Sequence, residues 1–422
     1  MTTSAEVPVA EAEGAPPTLS LFHLLNPAVL ADPYPLYRRL RTESPVHWDP
    51  YLHAWIVTRY DDACTVFRRF SAHCAPGPEY FDALGVPEVG PLARVMVKQM
   101  LFLDASAHTR LRRLAGPAFQ TSRVNTLRPH IQAIADRLID DILAGGSDTM
   151  DLLADFAEPL PAMVTTELLG VPVEHHAELK EWSVTFAEVL GNFQHNPDRL
   201  TGALVAVENL SAYFENAIAE QRRHPREGLL GDLLSAEVDG DRLTDEEIAA
   251  NCIITMVGGL ETTTNLIGNG MLTLLRHPHV LDRLRHEPDL VIPLVEELLR
   301  YEPPVQLNPK YTTLDDVDVA DVTIPKGSRL LLALAAANRD PNRFADPERF
   351  EPERENNEHL GFFTGIHYCF GAGLARQEAQ VALTELARRL NNPRLLEDPP
   401  PYRQNPTLRG PRHLPLEIDG IS

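Results

Sequence analysis

Two hydrophobic periods run along this chain. From about residue 106 to 300, apolar positions recur every three to four residues, the spacing of amphipathic helices. "RPHIQAIADRLIDDIL" and "AVENLSAYFENAIAEQRR" show it clearly. A third stretch, "TDEEIAANCIITMVGGLETTTNLIGNGMLTLLRHP", opens with Thr244 and Glu247 at capping-box spacing. It continues for more than thirty residues, which predicts a buried central helix. A last long helix is predicted over 374–390, "LARQEAQVALTELARRL". Near the start, the helical pattern "PYPLYRRLRTES" precedes the strand patterns "PVHWD" and "AWIVTR". Further strand patterns, "VDVADVTI" and "SRLLLAL", flank the turn "PKG" within 305–336. Residues 75–95, "APGPEYFDALGVPEVGPLAR", are dense in Pro and Gly and predict a long irregular loop, a feature often tied to function. The pattern is mainly α with a small β region. It has no internal repeat and no linker after residue 18, so the chain divides into a tail, 1–18, and a single domain, 19–422.

Composition narrows this picture. The chain is 44% hydrophobic and 23% charged, as globular proteins are. Its net charge of -22 argues against nonspecific binding to nucleic acid or anionic membranes. The opening "MTTSAEVPVAEAEGAPP" is polar, acidic and Pro-rich, which reads as a disordered tail and not a targeting segment. The longest apolar run, 330–337, is too short to span a bilayer. The four cysteines, Cys64, Cys74, Cys252 and Cys369, include no CxxC pair, and free thiols suit a reducing cytoplasm. Cys64, Cys74 and Cys252 read as small buried hydrophobes.

Cys369 differs, because it lies in "GFFTGIHYCFGAGLARQE" just before a predicted helix. The positive end of that helix favours a thiolate, and Gly365 and Gly371 let backbone approach it closely. A metal-bound thiolate and a buried structural thiol both fit. Zinc fits poorly, since His367 and Cys369 are the only nearby ligand types. A Cys–His nucleophile has no signature here, whereas haem iron needs a single axial cysteine. Three weaker constellations accompany it. In the central helix, Gly258 and Gly259 cost roughly 1 kcal/mol each relative to alanine, which predicts either close approach of another group or a local distortion there. Glu261 and Thr262 follow, an acid and an alcohol suited to proton relay or simply to solvent and backbone. Glu297 and Arg300 share a helical face, as surface pairs commonly do. His108 and Arg112, four apart, suit a carboxylate or form an ordinary basic edge.

Together, HxxxR, GGxET, ExxR and GxHxCxG occur in an order that resembles the cytochrome P450 family, in its soluble bacterial class. The likeness covers residues 20 to 420, including "YEPPVQ", "VTIPKG", "AANRDPNRFADPERFEPER" and "NPTLRG". It implies a triangular helical prism holding haem b between the long central helix and the start of the Cys-bearing helix. By the same resemblance, Cys369 is the axial ligand of the haem iron and Phe362 packs beside it. His108, Arg112 and His367 are implied as propionate partners, Lys310 stands where relatives have arginine, and Gly258 lies against the haem. Glu261 and Thr262 are implied to supply protons during oxygen activation. Glu297 and Arg300 would form a structural triad with Arg354, while "PERF" at 347–350 only mimics that site. Met100, Val257, Gly258, Val305, Leu307 and Thr407 are expected to line the substrate pocket, with the region 189–200 close by. Gln194, His195 and Asn196 in that region could meet a polar group or solvent.

The implied activity is a monooxygenase on a small molecule of specialised metabolism, in the cytoplasm, as a monomer. Electrons would come from NAD(P)H through a ferredoxin reductase and a ferredoxin docking near Cys369, where Arg112, Arg113 and Arg376 would form a basic face. No flavin or iron–sulfur segment is fused. Competing readings are another oxidative outcome on the same fold (phenol coupling, desaturation, nitration, peroxide-driven oxidation), a haem sensor without turnover, and a non-haem thiol enzyme. Three positions depart from the family pattern: Phe363 replaces glycine, Gly373 replaces histidine, and Lys310 replaces arginine.

Overall fold

The computed structural model describes residues 18–69, 75–119, 121–190 and 197–421. Its main helices are α1 (Ala105–Ala115), α2 (Thr121–Gly145), α3 (Pro159–Leu169), α4 (His176–Ala187) and α5 (Pro197–Arg223). They continue with α6 (Asp245–Arg276), α7 (Val291–Tyr301) and α8 (Ala372–Arg389). The predicted central helix is α6, 32 residues long. Thr244 and Glu247 close its capping box: Glu247 N donates to Thr244 Oγ1 at 3.2 Å and Thr244 N to Glu247 Oε2 at 2.9 Å. From Ile248 to Leu274 buried residues occur on every face, because α6 packs against α3, α4, α5 and α8.

The β region gathers at one side. Strands β1 (Val46–Asp49), β2 (Ala54–Val57), β3 (Leu307–Thr312) and β4 (Arg329–Ala333) form one sheet in the order β1-β2-β4-β3. β1 and β2 are an antiparallel hairpin; β2 pairs β4 in parallel, with Trp55 opposite Leu330. The apolar run at 330–337 is shared between β4 and a short helix, Leu334–Ala337. "VDVADVTI" is a hairpin, Val317–Val319 with Val322–Ile324. A three-stranded sheet of Thr149–Asp151, Arg394–Leu395 and Pro415–Glu417 joins distant parts of the chain and had no sequence signal.

One expectation is corrected. Residues 75–95 are not an irregular loop but a chain of short helices, Pro78–Ala83, Pro87–Val89 and Gly90–Met96. Each carries proline in its first turn, where the missing N–H costs nothing. Proline density here marks helix starts. No helix among the described residues is long and apolar enough to cross a membrane.

Candidate functional site

Cys369 sits three residues before α8, with Gly371 at the helix N-cap. Its N–H donates to the Phe362 carbonyl at 2.9 Å, closing a loop that contains a tight turn at Gly365–His367. Gly365 has φ of 72° and Phe363 has φ of 61°. Glycine reaches that left-handed region freely; a phenylalanine there carries a cost of about 1–2 kcal/mol. The Phe363 ring lies 5.9 Å from Phe67, which in turn meets Tyr311 edge-on at 5.7 Å. This aromatic packing offsets the strain, and accounts for the departure noted at Phe363.

Two ionic supports hold the loop. Phe362 is buried, and the Arg376 guanidinium lies 4.5 Å over its ring. Arg376 donates to Glu296 at 2.7 and 2.8 Å, and His359 meets the same carboxylate at 3.1 Å. Burial pushes the Glu296 carboxyl up, but Arg376 and His359 outweigh it and hold it at about 2. The second support is Glu297, fully buried with Arg300, which donates at 2.7 and 2.8 Å. Arg354 Nε (3.2 Å), Asn357 Nδ2 (3.2 Å) and Glu351 N (2.9 Å) complete its shell. The expected members thus meet, and Arg349 of "PERF" takes part through its carbonyl, which accepts from Arg300 and Arg354.

On α6 the two glycines act differently. A Cβ at Gly259 would lie 2.7 Å from Thr165 Oγ1, so glycine there lets α3 close on α6. A Cβ at Gly258 would meet nothing within 4 Å, because that face opens on the cavity. Thr262 also faces the cavity and donates its hydroxyl to the Gly258 carbonyl at 2.5 Å. Glu261 does not line the cavity. It is 5% exposed and turned toward Arg403, whose Nη1 donates to Oε1 at 2.6 Å. Arg403 Nη2 reaches Glu158 at 2.6 Å, and Lys180 binds the other Glu158 oxygen at 2.7 Å. Glu261 Oε2 is buried without a hydrogen-bond partner. Sequence reasoning missed Arg403, which lies 142 positions from Glu261 in a segment with no motif of its own.

A cavity of about 870 Å³ brings these parts together. Cys369, Phe362, His108, Arg112 and His367 line it with Gly258 and Thr262. All six expected pocket residues, Met100, Val257, Gly258, Val305, Leu307 and Thr407, are in the lining. The His108 and His367 rings stand 4.4 Å apart, and Arg112 lies 4.5 Å over Phe370. Two further lining groups had no sequence signal. Asn308 is buried, with its Nδ2 unpartnered. Glu378 is fully buried, and that burial pushes its carboxyl up to about 8. Gln194, His195 and Asn196, the Lys310 side chain and Cys74 lie outside the described residues. The expected basic face is corrected: Arg376 is paired with Glu296, and Arg113 with Asp239 at 3.1 Å. Their charges are spent internally.

The donor set fits haem. No group of three His, Cys, Asp or Glu among the described residues could hold a bare metal ion, so Cys369 stands as a single donor. A single thiolate suits a metal whose other ligands come from its own macrocycle. Two imidazoles, a guanidinium and an unpartnered buried amide suit the carboxylates such a group carries.

Comparison with known proteins agrees. The family profile "Cytochrome P450" matches residues 79–411. The chain is 39% identical to "Cytochrome P450 monooxygenase PikC" of Streptomyces venezuelae, covering 95% of this chain and 94% of the relative. It is 36% identical to "Biotin biosynthesis cytochrome P450" of Bacillus subtilis, over 92% of this chain and 97% of that one. Among solved structures it is similar to P450BioI in complex with hexadec-9Z-enoic acid ligated acyl carrier protein. The TM-score is 0.87 at 34% identity, with 93% and 99% of the two chains covered.

Proposed function

Because this chain belongs to the cytochrome P450 family, we propose that it is a haem-thiolate monooxygenase with Cys369 as the axial ligand, acting on a large, mostly apolar small molecule of specialised metabolism. The observation that carries this reading is one cavity lined by Cys369 at a helix start and by Gly258 and Thr262 of the central helix. Bound haem would supply oxygen activation, and a thiolate donor such as Cys369 would tune it.

The chain's own residues do the rest. The N-terminal end of α8 favours Cys369 as an anion. His108, Arg112 and His367 would hold the haem propionates, and Asn308 would add a donor. The Thr262 hydroxyl hydrogen is engaged by Gly258 O, which leaves the oxygen lone pairs to accept from a proton donor. Glu261 is the acid proposed for that role; here it is the carboxylate partner of Arg403, beside Glu158 and Lys180, and it would carry a proton toward Thr262 only on leaving Arg403. Val257, Val305 and Leu307 exclude water from the reacting end of the substrate. Electrons come from NAD(P)H through a ferredoxin reductase and a ferredoxin that docks on the Cys369 side, and the chain acts as a cytoplasmic monomer. The relative bound to a hexadecenoyl carrier protein supports a long apolar substrate.

The test is the reduced carbon monoxide spectrum of the purified protein. The wild type is expected to give the thiolate-type band, and Cys369→Ser to lose it. A serine variant that keeps the band overturns the ligand assignment. Product analysis with NAD(P)H and surrogate redox partners then separates oxygen insertion from coupling or desaturation, and turnover on peroxide alone would favour the peroxide-driven reading.

A further inference from the structure

The charged lining of the cavity is uneven. It contains two arginines, Arg112 and Arg329, and one carboxyl, Glu378. Burial pushes the Glu378 carboxyl up to about 8, so at neutral pH it does not offset the arginines. Arg112 packs with the His108–His367 end and is accounted for by haem. Arg329 is not. It heads β4, beside the β1–β2 hairpin, because Trp55 pairs with the next residue, Leu330. From that hairpin Tyr51 and His53 also line the cavity, with Phe22 stacked on Tyr51 at 5.7 Å. The Arg329 side chain is exposed and makes no ion pair among the described residues. The hairpin's carboxylate, Asp49, is already consumed by Ser20 Oγ and the N–H groups of Leu21, Tyr51 and Leu52. Among the described residues no carboxylate is paired with the guanidinium.

Resting on the monooxygenase reading above, we propose that the substrate is an amphiphile with an anionic head group, and that Arg329 is the specificity-determining residue that holds this head while the apolar part extends into the cavity. A guanidinium offers two parallel N–H donors that match a carboxylate or phosphate, and aromatic neighbours at Phe22 and Tyr51 strengthen the contact by excluding water. The surrounding negative charge repels anions at long range, so a local unpaired cation is the feature that admits one. His53, also in the lining, adds a ring nitrogen able to hydrogen-bond.

The experiment titrates haem-loaded protein with sodium dodecanoate, methyl dodecanoate and the phosphopantetheine thioester of dodecanoic acid, reading the substrate-induced spin shift and calorimetric binding. Wild type is expected to bind an anionic probe at least about 10-fold more tightly than the methyl ester. Arg329→Gln is expected to weaken the anionic probe about 10- to 100-fold and to leave the ester within about 2-fold. Arg329→Lys is expected to recover part of the loss. A preference for dodecanoate identifies a free carboxylate, and for the thioester a carrier-borne phosphate. Equal binding of anionic and neutral probes by wild type overturns the proposal. So does an Arg329→Gln protein that loses haem or weakens all three probes alike, since that places Arg329 in the haem cradle. Failure to bind any anionic probe overturns it too, while the carbon monoxide band reports separately on the haem-thiolate reading.

Discussion

Phe363 shows how one residue can oppose its backbone. At φ of 61° the ordinary ranking of substitutions inverts. Phe363→Ala loses the contact with Phe67 and keeps the left-handed penalty; Phe363→Gly loses the same contact and sheds the penalty. The glycine variant is therefore expected to be more stable than the alanine variant by about 1 kcal/mol, measured by urea unfolding. An alanine variant of equal or greater stability would show that the loop does not hold this conformation. The departure at 363 was visible in the sequence; its consequence needed the dihedral. Cys369, His108, Arg112 and His367 were singled out in the sequence only by the joint order of four motifs, since the helix start and glycines around Cys369 fit a structural thiol equally well. Asn308 and Glu378 were not, since their significance lies in burial without a partner.

Among elements, α6 and the segment 403–410 form one device. Asn265 Nδ2 reaches the Leu408 carbonyl at 3.4 Å and Asn269 Nδ2 the Arg409 carbonyl at 3.0 Å, while Gly410 leaves no room for a Cβ beside Asn265. This docking delivers Thr407 to the cavity and Arg403 to Glu261. Removing Arg403 strands a buried carboxylate, so Arg403→Leu is expected to cost about 3–5 kcal/mol. Arg403→Lys should cost less. A double-mutant cycle with Glu261→Gln is expected to give a coupling of about 1 kcal/mol or more in chemical denaturation. Additive effects would mean that the contact at 2.6 Å contributes nothing. The helix pattern predicted α6 and its cap, but "GGLET" says nothing about which way Glu261 turns.

Across the whole molecule, the half-buried Glu296 and the buried Glu378 set opposing pH dependences. Glu296, held at about 2, contributes stability above the ordinary carboxyl range and loses it as pH falls toward 2. Glu378, pushed up to about 8, acts in reverse. Between the ordinary carboxyl range and pH 8 the folded protein keeps a proton that the unfolded chain releases, so stability falls as pH rises. Glu378→Gln is expected to flatten that fall, raising Tm more at pH 8 than at pH 5. An equal change at both values would place the Glu378 proton elsewhere.

The sequence by itself determined the long central and C-terminal helices, the thiol before α8 and the family, because periodicity, caps and motif spacing are properties of neighbouring residues. It also determined the strong negative charge. Only the tertiary structure decided that proline-rich 75–95 is helical, that Glu261 faces Arg403 and not the cavity, that Arg113 and Arg376 spend their charges internally, and that Arg329 is left over at the hairpin. These are choices of partner among residues far apart in the chain. They follow from which faces pack together and which polar groups are satisfied in doing so, and no local pattern encodes that outcome.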